Sequence, residues 1–391
     1  MEEIMKKKNS AVIIGIASVW FGAHCGPGVA SGNQIATFYS KYSILGIFTG
    51  LIAMIALGLC IFYSIEYARL TKSYDFKSFA NKFYAPYEKF FANFFEVTYA
   101  ATVLMVLGSC IATGAAALNQ QFGLPMWIGQ ASLALITILL TIFGADLVRK
   151  SSSAMTIIIM ISLGVMIVVA IATNSTTIAE HFAQKNVPEF MPKAAEVSPL
   201  MAIWSAILYA GFQSAGNIAN AVSVSEGLES REDSRKAAIY GILINAILII
   251  AVALMLFAYP DVLNEFFNPN RPGGSFIPNL IVAKRLGSPI YSYLYLIALL
   301  LAIITTLVSF AYAVAARYGK LLPIKAGVKR DLVAVIIMLV LCTIVSFVGL
   351  DAIVSKGFKY LAYACIAVVI IPTILIGHKK ITNFKEVDEK Q

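Results

Sequence analysis

Apolar residues occur along this chain in long runs separated by short polar segments. A helix that crosses a bilayer needs about 20 apolar residues. Ten runs reach this length, at about residues 11–39, 43–69, 90–118, 126–147, 153–173, 199–225, 237–258, 289–316, 331–350 and 357–377. The pattern therefore predicts an all-α polytopic membrane protein with ten transmembrane helices.

The first apolar run is interrupted in its middle. Residues 24–33 read His-Cys-Gly-Pro-Gly-Val-Ala-Ser-Gly-Asn. Pro27 has no N–H and clashes with the preceding turn, and the three glycines weaken a helix further. Unpaired peptide groups in hydrocarbon are costly, so such a break is tolerated only beside protein or a water-filled cavity. Gly211 and Gly216 predict a second break near Tyr209–Asn217, so helices 1 and 6 are both predicted to be broken at mid-membrane.

The polar segments that join the predicted spans differ in how many lysines and arginines they carry. If the N-terminus is inside, the cytoplasmic segments carry 22 of the 30 basic residues, in agreement with the positive-inside rule. Both termini are predicted to be cytoplasmic, in a multi-pass protein of the cell membrane. The net charge of +9 is explained by this distribution and does not indicate a nucleic-acid partner.

The two halves of the chain have matching spans. Each span of 11–173 has a counterpart about 190 to 205 residues later, in 199–377. Because each half has five spans, the second half enters the membrane the opposite way up, which is an inverted 5+5 repeat. We therefore predict one transmembrane domain over 1–391, with a cytoplasmic tail at 378–391.

Composition excludes several other classes of protein. The chain is 59% hydrophobic and 13% charged, with a mean hydropathy of +0.80, whereas soluble proteins average about 25% charged residues. The five cysteines lie inside apolar runs without metal-like spacing, so no disulfide, metal or cofactor is expected from them. The spans have too few His, Asp and Glu residues for an enzyme, and no phosphate-binding loop of the Walker type is present.

A break in a helix exposes groups that bind solutes. Free carbonyls favour a cation and free N–H groups favour an anion, so a break suits a zwitterion beside a small cation. No acidic residue lies in the break, which favours a substrate that brings its own carboxylate. The predicted substrate contacts from the two breaks are Gly28, Ala30, Ser31, Gly32, Tyr209, Gly211, Phe212, Gln213 and Ser214.

Two ionisable residues lie well inside the spans, His24 and Glu96. Charge at mid-span is expensive, so each is a candidate proton site or a hydrogen-bonded structural residue. Apolar residues at helical spacing over 277–286 are consistent with either a short lid or a surface linker.

The run Gly26-Pro-Gly-Val-Ala-Ser-Gly-Asn33, the five-plus-five helices and the broken sixth helix resemble the amino acid–polyamine–cation (APC) superfamily with the leucine-transporter (LeuT) fold. The closest resemblance is to the YkvI-like amino-acid permeases. It implies a sodium site at Gly26, Val29, Thr305, Thr306 and Ser309, and a weaker second site at Asn33 and Asn245. It also implies that Tyr99 faces the substrate, and that helices 1, 2, 6 and 7 move as a bundle.

These observations predict a secondary transporter that takes up an amino acid or similar small zwitterion by alternating access, coupled to sodium. The alternatives are a proton-coupled or uncoupled permease for another small solute, and a transporter-like membrane sensor or receptor. The expected partners are the small-molecule substrate and the lipid bilayer.

Overall fold

The structure, a computed structural model, describes residues 2–143, 145–191, 198–271 and 276–384. These residues form helices and their connections, with no β-strand among them. Residues 1, 144, 192–197, 272–275 and 385–391, which include about half of the predicted tail at 378–391, lie outside this part of the chain.

Besides two short 3₁₀ helices, Ser40–Tyr42 and Gly319–Leu321, sixteen helices follow one another in the described ranges and are numbered here in chain order. They are α1 Glu2–His24, α2 Pro27–Ala30, α3 Asn33–Phe38, α4 Ile44–Thr71, α5 Phe76–Tyr84, α6 Glu88–Phe122, α7 Met126–Phe143, α8 Ala145–Thr173, α9 Ser175–Ala183, α10 Pro199–Ser223, α11 Arg231–Phe257, α12 Pro260–Phe267, α13 Pro278–Arg285, α14 Pro289–Tyr318, α15 Val328–Ser346 and α16 Leu350–Thr382.

Local sequence explains where many of these helices begin. Proline occupies the first turn of α2, α10, α12, α13 and α14, where its missing N–H would have no helical partner. A capping box starts α11, because Ser230 accepts from the Asp233 backbone and the Asp233 side chain accepts from the Ser230 backbone.

Helices occur at all ten predicted positions. Five are long and apolar enough on their own to cross a membrane: α4, α6, α11, α14 (measured to Leu321) and α16. A sixth candidate is the pair Ile157–Thr173 and Ser175–Ala183, which is bent by 73°. The apolar parts of α1 and α7, Ser10–His24 and Met126–Thr141, are shorter. The count of ten spans therefore stays a prediction.

The long helices pack in two groups. In the first, α4 packs against α10 and α11, and α1 packs against the same two helices. In the second, α6 packs against α7, α14 and α15, and α14 also packs against α8. The first group consists of the helices at predicted spans 1, 2, 6 and 7. The α16 helix packs on α4 and α10.

Candidate functional site

The first helix is interrupted where Pro27 and the glycines predict it. α1 ends at His24, Gly26 is extended, and only four residues are helical before a turn at Gly32. Gly32 has φ +85°, a left-handed conformation that favours glycine. No backbone hydrogen bond reaches the carbonyls of residues 22–25 or starts from the N–H groups of Gly26 and Gly28 within the described ranges. The interruption thus leaves backbone carbonyls and backbone N–H groups without a backbone partner.

These free groups border a cavity of about 450 Å³. Its walls come from α1 and α10 of the first group and from α6, α8 and α14 of the second. The polar lining side chains are His24, Gln34, Thr102, Ser109, Gln213, Asn217, Asn220, Thr305, Thr306 and Ser309. The cavity therefore lies between the two groups of helices and offers amides, hydroxyls and peptide groups to a solute.

Several residues predicted from the sequence meet at this cavity. They are His24, Gly26, Gly28, Phe212, Gln213, Thr305, Thr306 and Ser309. The hydroxyls of Thr305 and Thr306 both donate to the carbonyl of Ala302, at 2.9 and 2.8 Å. Because each hydroxyl has used its proton, its oxygen can still bind a cation.

The other predicted residues lie around the cavity and do not line it. Ala30, Ser31, Gly32 and Asn33 face the α13 side of the break, as described below, and Val29 is buried nearby. Ser214 is buried and donates to the Gly211 carbonyl at 2.7 Å. Tyr99 packs under the guanidinium of Arg317, 4.6 Å from its ring centre. Glu96 forms an ion pair with that same Arg317.

The predicted break in the sixth helix is wrong. α10 is helical without interruption from Pro199 to Ser223. Gly211 instead permits close packing, because a Cβ there would lie 2.8 Å from Ile366 and 3.0 Å from the Ala362 carbonyl on α16. The sequence signal was real, but it reports a close helix contact and not an opening of the backbone.

His24 joins three helices behind the break. Its Nδ1 lies 2.7 Å from Asn245 Oδ1 on α11, and its Nε2 lies 2.7 Å from the Tyr209 hydroxyl on α10. The Asn245 amide nitrogen donates to the Gly241 carbonyl, so its oxygen accepts from His24 Nδ1. A neutral His24 then accepts the Tyr209 proton at Nε2, and both ring nitrogens are satisfied.

Gln34 connects this cluster to the cavity. Its Oε1 lies 3.3 Å from the Tyr209 hydroxyl and accepts from Gln213 Nε2 at 3.4 Å. The side chain lies directly on Gly28, where a Cβ would be 2.1 Å from Gln34 Nε2. Gln34 therefore occupies the space that the missing side chain of Gly28 leaves.

Sequence reasoning missed several lining residues. Asn217 and Asn220 follow the predicted Gln213 by four and seven residues, so all three share one face of α10. Thr102 and Ser109 are seven residues apart on α6. The usable signal was a polar stripe at helical spacing within an apolar helix.

The α13 helix covers the opposite side of the break. The Asn279 backbone donates to the Ser31 carbonyl at 3.0 Å, and its side chain donates to the Ala30 carbonyl at 2.8 Å. Asn33 donates to the Phe276 carbonyl at 2.9 Å. Gln120 on α6 both donates to and accepts from the backbone of Ile277, at 3.2 and 2.9 Å. The segment 277–286 is thus a helix docked on the break.

The cavity and α13 lie on opposite sides of the break. On α1, the cavity is lined by residues before the break, from Val19 onward; on α10 it is lined by Phe212 to Asn220. On α14 it is lined by Ala302 to Phe310. The cavity thus extends toward the side on which α1 begins and α10 and α14 end.

No family model and no curated protein matches the chain. Solved structures of the Eremococcus coleocola manganese transporter do match. A glutamate-to-alanine mutant gives a TM-score of 0.60 at 14% identity over 94% of this chain and 79% of that chain. A complex with an aromatic bis-isothiourea compound gives 0.57 at 14% identity over 98% and 88%. A Na⁺-coupled sialic acid symporter gives 0.48 at 14% identity over 97% and 98%.

The chain therefore has the fold of a membrane transporter. Together with the apolar helices, this fold identifies a multi-pass membrane protein. The similar proteins are transporters rather than enzymes.

Proposed function

We propose that this protein is a secondary transporter with the leucine-transporter fold, which takes up an amino acid or similar small zwitterion across the cell membrane. In this proposal ten helices span the membrane as two inverted halves, 11–173 and 199–377, with both termini in the cytoplasm. The observation that carries it is the set of free peptide groups at the break, beside a cavity between two groups of helices.

The chemistry of the cavity supports a zwitterionic solute. The carbonyls of residues 22–25 suit an ammonium group, and the N–H groups of Gly26 and Gly28 suit a carboxylate. Gln213, Asn217 and Asn220 add amides that donate and accept. The solute would thus bring both charges itself and find a partner for each.

Sodium coupling is supported by oxygen atoms on two facing elements. Thr305, Thr306 and Ser309 of α14 line the cavity together with Gly26 at the break. Hydroxyl and carbonyl oxygens are hard ligands, which suit a small cation of this kind. The second site at Asn33 and Asn245 stays a prediction, because Asn33 contacts the α13 side and Asn245 contacts His24.

The two sides of the break support alternating access. With α13 docked on Ala30 and Ser31, the outer side would be closed while the cavity faces the cytoplasm. Outward opening would require α13 to leave the break and the first group of helices to tilt against the second.

The test is uptake of radiolabelled amino acids into proteoliposomes, with and without an inward sodium gradient. We expect uptake of at least one amino acid to need the gradient. Thr305→Ala with Thr306→Ala should raise the half-saturating sodium concentration about tenfold or more, since a loss of only about 1.4 kcal/mol in cation binding is a factor of ten. Thr137→Ala is the matched control, because its hydroxyl donates to the Leu133 carbonyl, away from the cavity.

Other outcomes discriminate the alternatives. Uptake driven by a pH gradient and indifferent to sodium would contradict sodium coupling. Uptake of Mn²⁺ without any amino-acid uptake would contradict the proposed substrate. Saturable amino-acid binding without uptake would support a sensor or receptor.

A further inference from the structure

A groove of about 620 Å³ runs along the surface where α4 and α11 pack together. Leu59 and Phe62 of α4 form one wall, and Ile239 and Ile242 of α11 form the other. Leu59 is 41% exposed and Ile239 is 40% exposed. The groove is therefore an open, apolar channel on the lateral surface of the protein.

Two arginines stand at one end of this groove. Arg231 and Arg235 line it and are four residues apart, so they share one face of α11. Ile239 and Ile242 continue the same face, and the distance from Arg231 to Ile242 is about 16 Å at 1.5 Å per residue. The charged end and the apolar channel thus follow one another along a single helix.

The charge at this end favours an anion. Glu232 also lines the groove, but it lies 3.8 Å from Lys236 and 4.0 Å from Arg235. Arg231 makes no ion pair or hydrogen bond within the described ranges. Nearby, Glu66 is already bound by Arg69 and by the Ser234 hydroxyl, at 2.8 Å each. Arg231 therefore has a guanidinium free for a further anionic ligand.

We propose that this groove binds an anionic phospholipid. The lipid phosphate would contact Arg231 and Arg235, and one acyl chain would lie between Leu59, Phe62, Ile239 and Ile242. A basic end followed by an apolar channel of about 16 Å matches a headgroup and its chain, whereas a soluble anion would use only the arginines. The location in the cytoplasmic leaflet follows from the proposed orientation.

The test is native mass spectrometry of the purified full chain, titrated with phosphatidylglycerol or with phosphatidylcholine of the same acyl chains. We expect phosphatidylglycerol to be retained more strongly. Arg231→Gln with Arg235→Gln should reduce its affinity about 25-fold, at about fivefold for each arginine near a membrane surface. Lys320→Gln with Lys325→Gln removes two exposed cations away from the groove and should leave retention unchanged.

Three results would overturn the proposal. One is equal retention of the two lipids by the native chain. Another is unchanged phosphatidylglycerol binding in the double arginine variant. The third is full displacement of the lipid by millimolar inorganic phosphate, which would indicate a soluble-anion site. Because the assay reads lipid retention, its failure is distinguishable from failure of the transport proposal.

Discussion

At the scale of single residues, the break is held by a buried polar cluster. His24, Tyr209 and Asn245 are each almost fully buried. His24 is hydrogen-bonded to both of the other two side chains. Buried polar groups are stable only when their hydrogen bonds are complete. The cluster therefore fixes the end of α1 against α10 and α11, and so positions the free carbonyls beside the cavity.

Tyr209→Phe should destabilise the protein, because it removes one hydroxyl and leaves His24 Nε2 buried without its donor. We expect the free energy of unfolding to fall by about 1–3 kcal/mol, measured by chemical unfolding in detergent. Tyr240→Phe is the control, since Tyr240 is 47% exposed and should change stability by less than about 0.5 kcal/mol. Equal stability of the two variants would show that the Tyr209–His24 bond contributes nothing.

His181 should make the protein sensitive to acid. It is buried in α9, outside the predicted spans, and stacks 4.2 Å from Phe257. Neither ring nitrogen has a hydrogen-bond partner within the described ranges, and burial lowers its pKa from 6.5 to about 4. A folded pKa below the unfolded value means that this stability is complete above about pH 6.5 and is lost as the pH falls toward 4.

The measurement is the melting temperature of the purified protein between pH 7 and pH 4.5. His181→Phe should flatten its decline with acid, because Phe cannot be protonated. His378→Phe, at an exposed histidine, should keep the native decline. If the native melting temperature were constant over this range, the interpretation of His181 would be wrong.

At the scale of elements, α1 and α10 show how far the sequence can predict a break. Pro27 acts through its own ring and missing N–H, so the end of α1 follows from local chemistry. Glycine has two uses, since it either opens a backbone or allows close packing. For Gly211 the choice depends on Ile366 and Ala362 of α16, which are about 150 residues away in sequence. No local pattern contains that information.

For α13 too, the sequence predicts less than the structure shows. Apolar residues at helical spacing over 277–286 predict either a short lid or a surface linker there. Its contact with Ala30 and Ser31 depends on amide groups of Asn279 that meet the break only after the chain has folded. The sequence therefore predicts the element but not the surface on which it docks, and the alternative of a surface linker could be decided only by the structure.

Two glycine substitutions on α10 should have opposite effects. Gly211→Ala places a Cβ against Ile366 and the Ala362 carbonyl, so we expect a loss of about 1–3 kcal/mol in stability. At Gly216 the nearest atom to a Cβ is Thr102 Cγ2 at 3.8 Å, an ordinary contact. Gly216→Ala should therefore be neutral or stabilise the helix by up to about 1 kcal/mol. Chemical unfolding of both variants would check this, and marked destabilisation by Gly216→Ala would indicate that α10 must open there.

At the scale of the whole molecule, the two helix groups enclose the cavity from both sides while α13 covers the break from one. Cys25 and Cys110 both line the cavity, one from each group. All three cysteines are buried, but Cys60 on α4 does not line the cavity. Three native cysteines thus report on access to the cavity without any added label site.

Single-cysteine variants that retain Cys25 or Cys110 should react with a membrane-impermeant maleimide faster from the cytoplasmic side than from outside. The reason is that the cavity extends toward the start of α1, whereas the hydrogen bonds of Asn279 close the opposite side. Asn279→Ala removes the side-chain bond to the Ala30 carbonyl and should raise labelling from outside severalfold. A variant that retains Cys60 alone should stay unlabelled from both sides.

Faster labelling of the native cavity from outside would reverse the proposed direction of opening. If Asn279→Ala left the labelling unchanged, α13 would not be what holds the outer side closed.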